Sequence, residues 1–146
     1  RNKSIYPISP VGEVGFYRAR SHQVVDVEHC LIQKPEADAL AQAVRDYIAR
    51  FQVEPYNEAT GRGLLRHLYV RTGSTGESLV CLLVNGSRLP HEQELVDVLN
   101  EFGVTECYYG HLHGKSIRYA TQGERDGITY RLISADGLSF CPYKIR

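Results

Sequence analysis

Through residues 1–30 apolar and polar positions alternate in short bursts, the period of half-buried strands. Val14, Phe16 and the segment Arg18 to Arg20 lead into the polar turn Ser21-His22-Gln23, and Val24, Val25 and Val27 follow. β-Branched residues on both sides of a short polar turn predict a hairpin. The period then changes. Pro35 opens a segment in which Leu40, Val44, Tyr47, Ile48 and Phe51 recur at three- and four-residue spacing, with Ala37 and Ala41 between them. That spacing is an apolar helical stripe. Proline suits a first helical turn, and the helix is expected to end near Gln52. Val53 to Gly63 reads as a loop.

Leu64 to Arg71 and Ser78 to Val84 are two strand-like runs joined by the polar, Gly-containing loop Thr72 to Glu77. Asn85-Gly86 reads as a further turn. After Pro90 a second helix is expected to carry Leu95, Val98, Leu99 and Phe102 inward, with Gly103 at its C-terminal cap. Val104 to Tyr109 follows as a strand, and Gly127 to Cys141 as a hairpin around Ala135-Asp136-Gly137. The central order is strand, helix, strand, strand, helix, strand. It predicts an α+β fold of ferredoxin-like split βαβ order, two helices on an antiparallel sheet, with additional hairpins at both ends.

Composition narrows the function classes. A chain of 146 residues, 42% hydrophobic and 23% charged, fits a single domain spanning residues 1–146. Its formal net charge is zero, so no global basic field draws in nucleic acid, and any such contact needs a local patch. Cys30, Cys81, Cys107 and Cys141 are far apart and form neither a CxxC nor a zinc-ribbon spacing. This usage predicts a reducing, cytoplasmic compartment. No apolar run approaches the roughly 20 residues of a membrane span, and no signal peptide is visible. The chain begins at Arg1 and contains no Met, which predicts an excised or processed segment.

Two sets of motifs carry chemistry. The first comprises Arg1-Asn2-Lys3, Gly15-Phe16-Tyr17-Arg18, Val24 to Cys30, Gly63 to Arg71 and Leu82 to Gly86. In order and spacing, residues 1 to about 100 resemble the central region of the RNA uracil-5-methyltransferase family. The resemblance implies a region between an RNA-binding domain and an S-adenosylmethionine-binding catalytic domain, helping to present RNA. In many members it also implies a four-iron cluster held by four cysteines, of which Cys30 matches the last. One thiolate cannot hold a cluster that takes about four, so Cys30 reads as a small buried thiol. No Gly-rich strand-to-helix turn offers a methyl-donor site, and no cysteine nucleophile follows one. Cys81 reads as core.

Arg62, Arg66, His67 and Arg71 fall within ten residues free of acids, and Arg1, Lys3, Arg18 and Arg20 form a second basic cluster. Arg18, Arg20, Arg62, Arg66 and Arg71 are therefore the candidate RNA-binding residues, acting on phosphates. The competing reading is a solvated strand face. No aromatic RNA-recognition signature appears on the strands, so base stacking is not expected.

The second set is Tyr109-Gly110-His111-Leu112-His113-Gly114. Histidines at i and i+2 between glycines can face a divalent metal. With the tail Asp126 to Asp136 and Leu138 to Ile145, residues about 101 to 146 resemble the C-terminal segment of calcineurin-like metallophosphoesterases. That resemblance implies His111 and His113 as two ligands of a two-metal centre. The Asp-x-His, Gly-Asp and Gly-Asn-His motifs of such a centre are absent, so the carboxylates are missing. The two resemblances meet near Leu95 to Glu101, giving a mosaic.

The sequence thus predicts a non-catalytic fragment or chimeric domain with weak RNA contact, dependent on the missing domains of a parent protein. The alternatives are a piece of a two-metal phosphoesterase and an artificial chimera with no activity. No membrane partner is expected. No cofactor is expected in this chain, while the parent families use S-adenosylmethionine and an iron–sulfur cluster, or two divalent metals.

Overall fold

A computed structural model of the chain describes residues 1–86, 89–104, 106–109, 114–120, 122–135 and 137–141. The alternation near the start becomes β1 (Lys3–Pro7), β2 (Gly15–Tyr17) and β3 (Val24–Asp26). β2 and β3 form the expected hairpin, closed by the Arg18 N–H donating to the Gln23 carbonyl. The helical period becomes α1 (Pro35–Phe51). Leu40 and Val44 on its stripe are fully buried, each worth about 1.5–3 kcal/mol. The helix stops as expected at Gln52, which takes a left-handed φ of 51°.

β4 (Leu65–Thr72) and β5 (Ser78–Val84) pair antiparallel, and β1 pairs antiparallel with the other side of β4. Then come α2 (Glu92–Glu101), β6 (Glu106–Tyr109), a 3-10 turn (Gly114–Tyr119), β7 (Gly123–Arg125) and β8 (Ile128–Leu132). The main sheet has six strands in the order β1-β4-β5-β6-β8-β7. One core joins both helices to alternate residues of the sheet, among them Tyr6, Leu68, Val80 and Ile128.

The α+β class stands, but the ferredoxin-like order does not. In a split βαβ, the strand before the first helix fills the gap between the third and fourth strands. Here β1 pairs instead with the outer side of β4, and β2 and β3 pair with each other. Nothing fills the gap, so the crossover through α2 brings β6 directly beside β5, parallel to it. The sheet is mixed, with β6 and β8 also parallel.

Two smaller expectations also shift. Leu95 and Leu99 of α2 are buried as expected, but Val96 is buried in preference to Val98, and Phe102 stays 40% exposed. The helix ends at Glu101, so Phe102 falls in the cap, where the helical phase is lost. Gly103 does take its positive φ of 71°, and the Val104 N–H reaches back to the Leu99 carbonyl.

The hairpin near the end turns at Asp126-Gly127; the expected turn at Ala135-Asp136-Gly137 includes Asp136, which lies outside the described residues. Asp126 and Gly127 both have positive φ, 50° and 80°, as a two-residue loop with right-handed strand twist requires. Among the described residues no helix is long and apolar enough to cross a membrane.

Candidate nucleic-acid interface

The site is set by an irregularity in β4. Leu65 pairs with Val84 and His67 with Leu83, so one extra residue, Arg66, is inserted at this end of the strand. A regular strand would put Leu65 and Leu68 on opposite faces. With the bulge both are fully buried. Arg66 has no partner on β5, while its carbonyl accepts the Ile8 N–H, and its guanidinium lies over the Tyr56 ring, 4.4 Å from the centroid. Tyr56 is held by its N–H donating to the Leu65 carbonyl. The next residues form a tight loop in which the Asn57 N–H donates to the Arg62 carbonyl. Gly63 closes the loop with φ 93°, and a Cβ there would lie 2.0 Å from the Pro55 carbonyl oxygen.

The β2–β3 hairpin leans over this loop. Arg45 of α1 anchors it, donating to the Asp26 carboxylate at 2.9 Å, to the Val27 carbonyl at 2.8 Å and to the Val14 carbonyl. At the far end of the hairpin, His22 Nδ1 meets Glu58 Oε2 at 2.8 Å. That bond clasps turn 18–23 to loop 57–62. Tyr17 stacks on His22 with centroids 5.2 Å apart, and its hydroxyl sits 3.2 Å from His67 Nε2. Between these groups lies an open cleft of about 140 Å³, with Ile8, Pro10 and Val24 as apolar lining.

Burial pushes the His67 imidazole pKa below its ordinary value, and the adjacent Arg66 charge adds to this. His67 is therefore neutral near pH 7. The His22 hydrogen bond holds the Glu58 carboxyl below its usual range, so Glu58 is ionised. Burial and the Glu58 charge raise the Tyr17 phenol.

The five candidate arginines separate into two places. Arg66 lines the cleft, while Arg18, Arg20 and Arg62 belong to the two loops that wall it. Arg71 is elsewhere. It sits five residues further along β4, about 16 Å at strand rise, opposite Lys3 of β1. Sequence reasoning missed Tyr56, His22 and Glu58 as parts of the site. Glu58 lies 36 residues from His22, and Tyr17 lies 50 residues from His67. Nothing local in the chain announces those pairings.

Cys30 lies in the segment before α1, its N–H donating to Asp38 Oδ2 at 3.0 Å. Cys81 is half-buried on β5, and burial raises its thiol pKa, which makes it a poor nucleophile. Among the described residues no three His, Cys, Asp or Glu side chains converge to hold a metal. Among the described residues no other such side chains join Cys30 in a group that could hold a cluster. His111 and His113 lie outside the described residues.

No profile of a known protein family matches the chain. It is 35% identical over 103 residues to an uncharacterized RNA methyltransferase of Clostridium acetobutylicum, covering 68% of this chain and 22% of that protein. An uncharacterized RNA methyltransferase of Listeria innocua is 37% identical over 110 residues, covering 72% of this chain and 24% of that protein.

Among solved structures, the Pyrococcus abyssi tRNA (uracil-54, C5)-methyltransferase in complex with S-adenosyl-L-homocysteine superposes with a TM-score of 0.57 at 21% identity. That match covers 65% of this chain and 24% of the other, and shows a shared fold. The N-terminal ~100 residues thus resemble RNA methyltransferases, and the chain spans less than a quarter of the length of these relatives. The comparisons lend no support to the metallophosphoesterase likeness expected for residues about 101 to 146.

Proposed function

We propose that this chain is an RNA-contacting, non-catalytic region of a larger S-adenosylmethionine-dependent uracil-5 RNA methyltransferase. In this reading methyl transfer belongs to other parts of the parent protein. This region helps hold the RNA by its phosphates. Two supports stand behind the reading: the likeness of the first ~100 residues to RNA methyltransferases, and Arg66 in a cleft walled by the loops that carry Arg18, Arg20 and Arg62. The observation that carries it is the His22–Glu58 clasp, which joins the turn bearing Arg18 and Arg20 to the loop bearing Arg62. In this reading Arg66 in the cleft and the arginines of the two joined loops offer phosphates a local field that the neutral chain lacks as a whole.

The test is fluorescence anisotropy with a single-stranded RNA over a range of salt concentrations. Binding is expected to be weak and to fall steeply with salt. Each lost phosphate contact should lower the slope of log K against log salt by about 0.7. Replacing Arg62 and Arg66 by Ala should flatten the slope by more than one such step. Arg71→Ala, at the other end of β4, should cost one step or less. Unchanged binding and slope after replacing Arg62, Arg66 and Arg71 together would overturn the reading.

A further inference from the structure

Resting on the RNA-contact reading, we infer that the cleft bounded by Tyr17, Tyr56, Glu58, Arg66 and His67 receives one unstacked nucleobase of a single-stranded RNA. The flat surfaces come first. The Arg66 guanidinium lies over the Tyr56 ring, 4.4 Å from its centroid, and Tyr17 stacks on His22. Splayed RNA bases are held by aromatic rings and by guanidinium planes of this kind. A duplex keeps its bases stacked inside and cannot offer one.

The hydrogen-bonding groups point the same way. His67 Nδ1 is buried with no partner. A proton there would be an orphaned donor, which folded proteins seldom tolerate, whereas an unpaired acceptor is tolerated more often. The ring proton of the neutral His67 therefore sits on Nε2 and is donated to the Tyr17 oxygen 3.2 Å away. That leaves the Tyr17 O–H free to donate to a ligand. Glu58 supplies an acceptor on the other wall. One donor and one acceptor across an apolar lining suit the edge of a base.

Charge and size exclude the obvious rival. The half-exposed Glu58 carboxylate and the Arg66 guanidinium both line the cleft and offset one another, so the cleft offers a phosphate no net positive charge while the uncharged base enters. The cleft, at about 140 Å³, is smaller than the roughly 300 Å³ at which pockets for drug-sized ligands begin. It suits one base and not a run of bases. Sequence alone gave no expectation of base stacking, because the two tyrosines come from a hairpin strand and a loop rather than from neighbouring sheet strands.

The experiment compares three fluorescent probes of equal charge on the full chain: oligouridylate, an abasic ribose-phosphate strand and an RNA duplex. The wild-type chain should prefer oligouridylate to the other two by about tenfold, within the range that stacking on one aromatic gives. Tyr17→Ala and Tyr56→Ala should each remove most of that preference while leaving the salt slope unchanged. Glu58→Gln, which keeps the shape and removes the charge, should narrow the preference by tightening the abasic strand. Thermal melts followed by circular dichroism identify any variant that fails to fold, and the wild-type and Glu58→Gln arms do not depend on the tyrosine variants. Equal binding of all three probes by the wild type, with a steep salt slope, overturns this inference and leaves the RNA-contact reading intact. No salt-dependent binding of any probe overturns both.

Discussion

The two ends of β4 are equally basic in sequence and unlike in structure. At the end that begins with Leu65, a bulge expels Arg66 onto the Tyr56 ring, and a clasped hairpin and loop wall a cleft around it. At the other end the ladder is regular. Arg71 faces Lys3 across the β1–β4 pair, and Lys3 lies over the Tyr69 ring, 5.5 Å from its centroid. The difference teaches that a run of arginines is not a patch. One inserted residue decides which of them joins aromatic and acidic partners, and which stays on an open sheet face as a solvated charge.

The largest expected effect abolishes the contrast. Leu68 lies between the two ends and is fully buried in the core beneath both. Leu68→Ala should cost about 2–5 kcal/mol, the range for truncating a buried leucine. Chemical denaturation should show that loss, and both ends should lose protection from hydrogen exchange together. Retained protection at the Lys3–Arg71 end alone would mean that the ends do not share one core.

A smaller change should break one end only. Gly63 needs φ 93°, and its Cα faces the Pro55 carbonyl too closely for a Cβ. Gly63→Ala should cost about 1–3 kcal/mol, the range for a residue forced into a sparsely populated backbone region. The strain falls on loop 57–62, so RNA affinity should drop toward that of the Arg62/Arg66 double variant. The β1–β4 pairing at Lys3 and Arg71 should keep its exchange protection. Equal loss at both ends would show that the bulge and loop are not a separate unit.

This contrast also marks what the sequence could reveal. α1 was readable almost to the residue, because its stripe, its proline and its end are all local signals. The β2–β3 hairpin and the β4–β5 pair were readable for the same reason. The sheet order was not. The alternation of strands and helices is identical whether β1 fills a gap beside β5 or pairs outside β4. Asp126-Gly127 and Asp136-Gly137 are the same two-residue hairpin signal, so local sequence does not choose between them. At the site, Arg66 lines the cleft, Arg18, Arg20 and Arg62 sit in the two loops joined by the His22–Glu58 contact, and Arg71 lies further along β4. The place of Arg66 depended on Leu65 and Leu68, spaced three apart in a strand, a spacing that only a bulge reconciles with one core. The cleft itself rests on contacts 36 and 50 residues apart in the chain.

The smallest expected effect sharpens the comparison through pH. His67 resists protonation in the folded state, because burial strips water from the imidazolium and Arg66 repels it. Its pKa therefore lies below the ordinary 6.5 that it regains on unfolding. Wherever the unfolded chain binds the extra proton, stability rises with pH. The His67 contribution is complete above pH 6.5, shrinks as pH falls from there to the folded-state pKa, and changes no further below it. Glu58, also lowered, acts in the same direction but only in the carboxylate range below 4.5, so the two windows separate. Acid should therefore loosen the cleft end of β4 before the regular end. Denaturation midpoints at pH 7.5 and pH 5.5 should differ more for the wild type than for His67→Gln, which keeps a polar side chain of similar reach without the titration. The imidazole resonance of His67 gives the direct check. A titration midpoint at or above 6.5 would show that the ring is neither desolvated nor pressed by Arg66, and the cleft would then lose the neutral histidine that orients the Tyr17 hydroxyl.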